Sequence, residues 1–153
     1  VSMAEKRPLK RALQARLHAI FERSVPFNRV LGLKVVSFDP ANPRLRLDMR
    51  PELVGNPSRG ILHGGVISAV LDVATGIAVG LALIERADPE RIEFPDIGTI
   101  DLRVDYLRPG RGKHFVAGAR VVRLGKRIAV AHMDMTDGEG EPIATGSAAY
   151  VVG

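Results

Sequence analysis

Apolar and polar positions alternate with a period of two along several stretches of this chain and follow a helical period along two others. RLRLDMR (44–50) sets Leu45, Leu47 and Met49 against Arg44, Arg46, Asp48 and Arg50, the pattern of a half-buried strand. GTIDLRVDYL (98–107) likewise sets Ile100, Leu102, Val104 and Tyr106 against Thr99, Asp101, Arg103 and Asp105. VLGLKVVSFD (30–39), HFVAGARVVRL (114–124), RIAVAHMDMT (127–136) and PIATGSAAYVV (142–152) complete the predicted strands. PANP (40–43), Arg108-Pro109-Gly110, Gly125-Lys126 and Asp137-Gly138 punctuate them, and Gly125-Lys126 fits a two-residue hairpin turn with glycine first. Links this short join antiparallel neighbours.

Two segments carry the helical period. Residues 8–23 begin with Pro8, suited to a first helical turn, and place Leu9, Leu13, Leu17, Ile20 and Phe21 in one stripe; Ser24 and Pro26 end it. The second, Gly64 to Ile84, is 21 residues with Asp72 as its only charge. That is long enough to cross a bilayer. A carboxylate inside the span would cost about 2.5–3.5 kcal/mol near the helix centre, and the amphipathic strands need a core to close on. The segment therefore reads as the core helix of a globular fold, with no membrane span expected.

The order is helix, two strands, long helix, four strands. One antiparallel sheet wrapped around the long helix satisfies it, an α+β class with an extra N-terminal helix; residues 1–27 are read as a helical extension and 28–153 as the domain. Such a sheet leaves edges open, and a second copy would cover one, so a homo-oligomer, dimer or tetramer, is expected.

At 153 residues the chain fits one domain. It contains no cysteine, which excludes a disulfide scaffold, a thiol nucleophile and a thiolate metal site, and fits a cytoplasmic location. The N-terminal VSMAEKRPLKRALQARL is basic without an apolar core or a small-residue cleavage site, unlike a secretory signal. The net charge of +5 permits an anionic partner, but the basic residues are spread along the chain. Two tyrosines, five phenylalanines and no tryptophan offer few stacking platforms, so no nucleic-acid partner is expected. His18, His63, His114 and His132 lack ligand spacing, and no metal is expected.

The candidate chemistry lies on the long helix. Gly65, Ala69, Asp72, Gly76 and Gly80 share one face at spacings of three and four, with Ser68 and Thr75 beside them. Asp72 is the only titratable group there. A buried carboxylate is costly unless compensated, so it is either paired with an arginine or kept for function. At the helix start, Gly64-Gly65 leaves backbone N–H groups open to a ligand at the positive end of the helix dipole. Such donors suit a developing oxyanion; the alternative is a helix start packed closely on a strand. Gly65 and Asp72 lie seven residues apart, about 10 Å along the axis. Two copies related by a two-fold axis would set Gly65 of one opposite Asp72 of the other.

His63-Gly64-Gly65, the aspartate at 72 and the small-residue helix, followed by GTIDLRVDYLRP, resemble the hotdog-fold acyl-CoA thioesterases of the PaaI and 4-hydroxybenzoyl-CoA thioesterase type, over roughly residues 28–152. The resemblance implies hydrolysis of an acyl-CoA to free acid and CoA at dimer-interface sites, with no cofactor, because coenzyme A is part of the substrate. It implies that Gly65 offers its N–H to the thioester carbonyl, with Gly64 and Ser68 beside it. Asp72 of the partner would act as base or nucleophile, Thr99 would hold the water, and Asn56 would be the polar residue preceding the HGG. His63 either touches the thioester or orients the helix start. Arg108, Arg111, Lys113, Arg123, Lys126 and Arg127, with the Gly125-Lys126 backbone, are the candidates for the CoA phosphates. On the same fold, an acyl-CoA hydratase or dehydratase and a non-catalytic acyl-CoA-binding domain are the alternatives. The acyl group is left open.

Overall fold

The computed structural model describes residues 11–87 and 94–153. Helix α1 (Arg11–His18) runs through a π-helical segment (Ala19–Ser24) into helix α2 (Pro26–Leu31). Strands β1 (Lys34–Ser37), β2 (Arg44–Asp48), β3 (Val54–Asn56) and β4 (Ile61–Leu62) precede helix α3 (Gly64–Arg86). Strands β5 (Gly98–Tyr106), β6 (His114–Leu124), β7 (Ile128–Asp137) and β8 (Pro142–Val151) follow. Six strands form one antiparallel sheet in the order β1-β2-β6-β7-β8-β5, while β3 and β4 pair separately.

Helix α3 packs along one face of this sheet, against β6 and β7 most closely. Ala117, Ala119, Ala129 and Ala131 of the strands are buried, as are Leu71, Ile77, Val79 and Leu81 of α3, and all belong to one core in which small strand residues let the bulky helix approach. The strand alternation is as expected in β2, where Leu45 and Leu47 are buried and the arginines are not. A helix that could cross a membrane by length and composition is here the interior of the fold.

Four local expectations are corrected. The helix predicted over 8–23 has its first residues, Pro8 and Leu9 among them, outside the described residues; Pro26 does not end the helical region but occupies the first turn of α2. The strand predicted from residue 30 starts at Lys34, because α2 runs to Leu31 and ends on Gly32, whose φ of 69° is the left-handed cap glycine adopts without a steric penalty. The β3–β4 hairpin was not predicted; its strands are too short for periodicity, and its turn closes by Arg59 and Gly60 N–H groups donating to the Asn56 carbonyl at 3.1 and 2.9 Å. The link between β6 and β7 spans residues 125–127 rather than two residues, and Gly125 is not among the positive-φ glycines that a glycine-first turn requires.

The two sheet edges differ. At β1 the Val35 N–H is taken by Glu22 Oε1 at 2.7 Å, so the N-terminal helical segment covers that side. The β5 edge runs for nine residues with Ile100 and Tyr106 exposed, and nothing among the described residues pairs with its outer side. The N-terminal segment also buries Leu13, Leu17 and Phe21 in the same core as α3, and α2 crosses the boundary set at residue 27.

Candidate active site

Asp72 is half-buried on α3, about two turns inside the helix. Thr99 Oγ1 donates to its Oδ1 at 2.9 Å, and the Tyr150 hydroxyl lies 2.5 Å from the same Oδ1 and 2.7 Å from the Asp72 carbonyl oxygen. No ion pair reaches Asp72 among the described residues, so the arginine-paired alternative is not the arrangement found. Burial, and then the hydrogen bond to Asp72, push the Tyr150 phenol well above its usual range, with Thr99 opposing in part; the phenol keeps its proton and stays a donor.

Thr99 reaches the helix through a bulge. Strict alternation would put it on the polar side of β5 with Asp101. Instead Thr99 pairs with Tyr150 and Asp101 with Ala149, leaving Ile100 as the extra residue. The bulge turns Thr99 onto the same face as buried Tyr150. Thr99 therefore binds the carboxylate itself, and its hydroxyl oxygen keeps acceptor capacity.

The helix start is organised differently from expectation. His63 caps α3: its Nδ1 accepts the Gly65 N–H at 2.8 Å, and its carbonyl accepts the Val66 and Ile67 N–H groups at 3.0 and 3.2 Å. The Gly65 amide expected to lie bare is thus already bonded, which corrects that assignment for this chain. Gly64 N–H has no partner among the described residues, and it is the open donor. Room for the imidazole comes from glycines on both sides, since a Cβ at Gly55 would lie 2.7 Å from His63 Cα and one at Gly65 would lie 2.9 Å from Nδ1.

Tyr106, at the far end of β5, closes the other side. Its hydroxyl donates to the Gly64 carbonyl at 2.9 Å and meets Ser68 Oγ at 2.5 Å, while Ser68 donates to the same carbonyl at 3.2 Å. Beside them opens a cleft of about 320 Å³ lined chiefly by Leu62, Gly64, Ile67, Tyr106, Leu107 and Gly110, with Arg108 at its margin. Its size falls in the range of small-molecule sites.

Of the remaining expected residues, Asn56 ends β3 opposite Ile61, which also lines that cleft; its Oδ1 accepts the Ser58 hydroxyl at 2.8 Å, and among the described residues no hydrogen bond joins it to Asp72. Gly125 and Lys126 line a separate cleft with Leu83, Arg86 and Val152 at the C-terminal end of α3, and Arg123 is on the neighbouring end of β6. Eleven residues separate Leu83 from Asp72, about 16 Å along the helix. Gly125 cannot lend its backbone to an anion there, because its N–H donates to Ile128 at 2.9 Å and its carbonyl accepts from Arg86 at 3.1 Å. Both tyrosines of the chain, Tyr106 and Tyr150, are at the site, and neither was expected there. The available signal was chemical: a tyrosine on an inward strand position needs a partner for its hydroxyl.

One chain thus carries two candidate half-sites: a carboxylate held by two hydroxyls near the start of β5, and an open helix-terminal amide beside an apolar cleft near its end. A donor and a carboxylate of this kind suit acyl-group chemistry on a polarised carbonyl. The thioesterase-superfamily sequence profile matches residues 59–144. The chain is 42% identical over 139 residues to the medium/long-chain acyl-CoA thioesterase YigI of Salmonella typhimurium, covering 88% of this chain and 90% of that one. The YigI protein of Escherichia coli K12 matches with the same identity and coverage. A crystal structure from Shewanella oneidensis, described as related to the thioesterase superfamily, superposes with a TM-score of 0.84 at 38% identity, covering 93% of this chain and 96% of that one. The chain belongs to the thioesterase superfamily, and its fold is the hotdog fold that the sequence motifs suggested.

Proposed function

We propose that the protein hydrolyses acyl-CoA thioesters, with medium and long acyl chains as its first candidate substrates in line with the YigI relatives, at sites shared between two copies of the chain. The observation that carries the reading is the placement of the half-sites at opposite ends of β5. Thr99 binds Asp72 near one end, and Tyr106 binds the Gly64 carbonyl at the other. If two β5 edges pair antiparallel about a two-fold axis at Leu102, the middle of the strand, Asp101 of each faces Arg103 of the other. A two-fold axis at Arg103 would instead set like charges opposite each other. The favoured register lays the Thr99 end of one strand beside the Tyr106 end of the other, which carries Asp72 of the partner subunit toward Gly64.

In that arrangement the Gly64 N–H, at the positive end of the α3 dipole, polarises the thioester carbonyl. Asp72 of the partner subunit either draws a proton from the attacking water or attacks the carbonyl itself; in both routes the C–S bond breaks and CoA leaves as the thiolate, and in the second, water then cleaves the acyl–Asp72 anhydride to free acid. His63 serves the site by fixing the first turn. The cleft of Leu62, Ile67 and Leu107 suits the apolar part of the substrate. Among the cations proposed for the CoA phosphates, Arg108 lines this cleft, and there it is ion-paired with Glu141. Arg123 and Lys126 would serve only a coenzyme extended over the roughly 16 Å along α3.

The test is thiol release from an acyl-CoA panel of increasing chain length, with the oligomeric state measured by sedimentation. Turnover with CoA release by a dimer or tetramer is expected, and Asp72→Asn should lower kcat about a thousandfold while leaving the oligomer intact. Turnover of an enoyl-CoA without CoA release would instead indicate a hydratase, and binding without turnover across the panel a non-catalytic acyl-CoA domain.

A further inference from the structure

The two hydroxyls on Asp72 are not equivalent, and neither reaches its second oxygen. Thr99 and Tyr150 both converge on Oδ1, at 2.9 and 2.5 Å, whereas Oδ2 has no partner among the described residues. Thr99 donates from the exposed edge strand. Tyr150 donates from β8, which is paired on both sides by β7 and β5, and its residue is only 3% exposed. The phenol has one proton and two acceptors in reach, the Asp72 carbonyl and Oδ1. The shorter contact is to the carboxylate, and a charged oxygen is the stronger acceptor.

We propose that Tyr150 is the positioning residue of the site, fixing the Asp72 side chain through Oδ1 so that Oδ2 is the oxygen presented to water or to the acyl carbon. The inference rests on the reading of Asp72 as the reacting carboxylate, but holds for either route, since both need one free and oriented oxygen. It also assigns an order to assembly. Because β8 lies inside the sheet of a single chain, Tyr150 orients Asp72 before a partner subunit arrives. Thr99, on the open edge, is the second anchor, and its position depends on how β5 is held.

The variants are Tyr150→Phe, Thr99→Val and the pair together, assayed by acyl-CoA thiol release with kcat and KM separated and melting temperature recorded. Tyr150→Phe should lower kcat about tenfold with KM changed less than about twofold, because orientation of a reacting group is lost while substrate contacts remain. Thr99→Val should lose about threefold, since Tyr150 still holds Oδ1, and the double variant should lose more than the product of the two. Tyr150→Phe with kcat within twofold of the native value, or a double variant no worse than Thr99→Val, overturns the inference. If Tyr150→Phe does not fold, Thr99→Val decides alone: a hundredfold loss there would mean that Tyr150 cannot hold the carboxylate. Turnover surviving in Asp72→Asn removes the underlying reading instead, whatever Tyr150→Phe does.

Discussion

Replacing His63 by alanine separates the two roles that a histidine at this helix entrance could have. In the folded chain the imidazole Nδ1 accepts the Gly65 N–H at 2.8 Å, and the ring is exposed, so little apolar burial is lost with it. Alanine keeps the Cβ that fits against Gly55 but leaves the second amide of a 23-residue helix without its acceptor. Loss of an N-cap side chain costs about 1 kcal/mol. In a domain of this size that lowers Tm by about 2–4 °C. His63→Asn restores a side-chain acceptor at the cap, so it should recover most of that loss. If capping is the whole of what His63 does, His63→Asn should also keep kcat within a few-fold of native, whereas a ring that touches the thioester would not be replaced by an amide. Thermal unfolding followed by circular dichroism, with thiol release on the same preparations, reads both effects. An unchanged Tm in His63→Ala, or an asparagine variant as unstable as the alanine one, would refute the capping role.

Two further outcomes follow from the strands beside Asp72. At Gly146 a Cβ would fall 2.1 Å from the Arg103 carbonyl oxygen and 2.6 Å from Met133 Cε; the methionine can move, but the carbonyl belongs to the β5 backbone. Gly146→Ala should therefore destabilise by about 1–3 kcal/mol, as overpacking does, and lower kcat by displacing the strand that carries Thr99; an unchanged Tm would contradict it. The raised Tyr150 phenol gives a pH signature: the unfolded chain begins to lose this proton near pH 10.0 while the folded chain still holds it. Its contribution is complete below that pH and declines as pH rises through the folded-state value. In urea unfolding at about pH 8 and about pH 11, the stability of native protein relative to Tyr150→Phe should fall at the higher pH; a constant difference would count against it.

Much of the fold was legible because long elements repeat their period many times. Helix α3 and strands β6 to β8 fall within a few residues of the expected boundaries, since each buries a continuous face. The elements that were missed are too short to show a period: α2 has six residues, and β3 and β4 have three and two. Asp72 was legible as a charge in an otherwise apolar helix. Thr99 was found by family resemblance, while alternation alone pointed it the wrong way, because a bulge leaves no mark in a polar-apolar count. Tyr106 and Tyr150 were hidden inside strand patterns as merely apolar positions. The choice between Gly64 and Gly65 depends on which way a neighbouring imidazole turns, and that is a tertiary fact.

The same geometry explains why a site of this kind would be divided between two chains. Within one chain the open Gly64 amide and Asp72 are eight residues apart on a straight helix, about 12 Å, and no side-chain rotation brings both to one carbonyl carbon. Strand β5 lies along that interval with Thr99 tied to the carboxylate end and Tyr106 to the amide end. In the proposed dimer, antiparallel pairing of β5 with itself would reverse the interval and bring each amide toward the other chain's carboxylate. The covered β1 edge offers no such exchange, since its Val35 N–H is already held by Glu22 and neither half-site touches it. On that proposal, assembly through β5 and completion of the site would be one event, and a variant that blocks this edge should lose turnover in step with the loss of dimer.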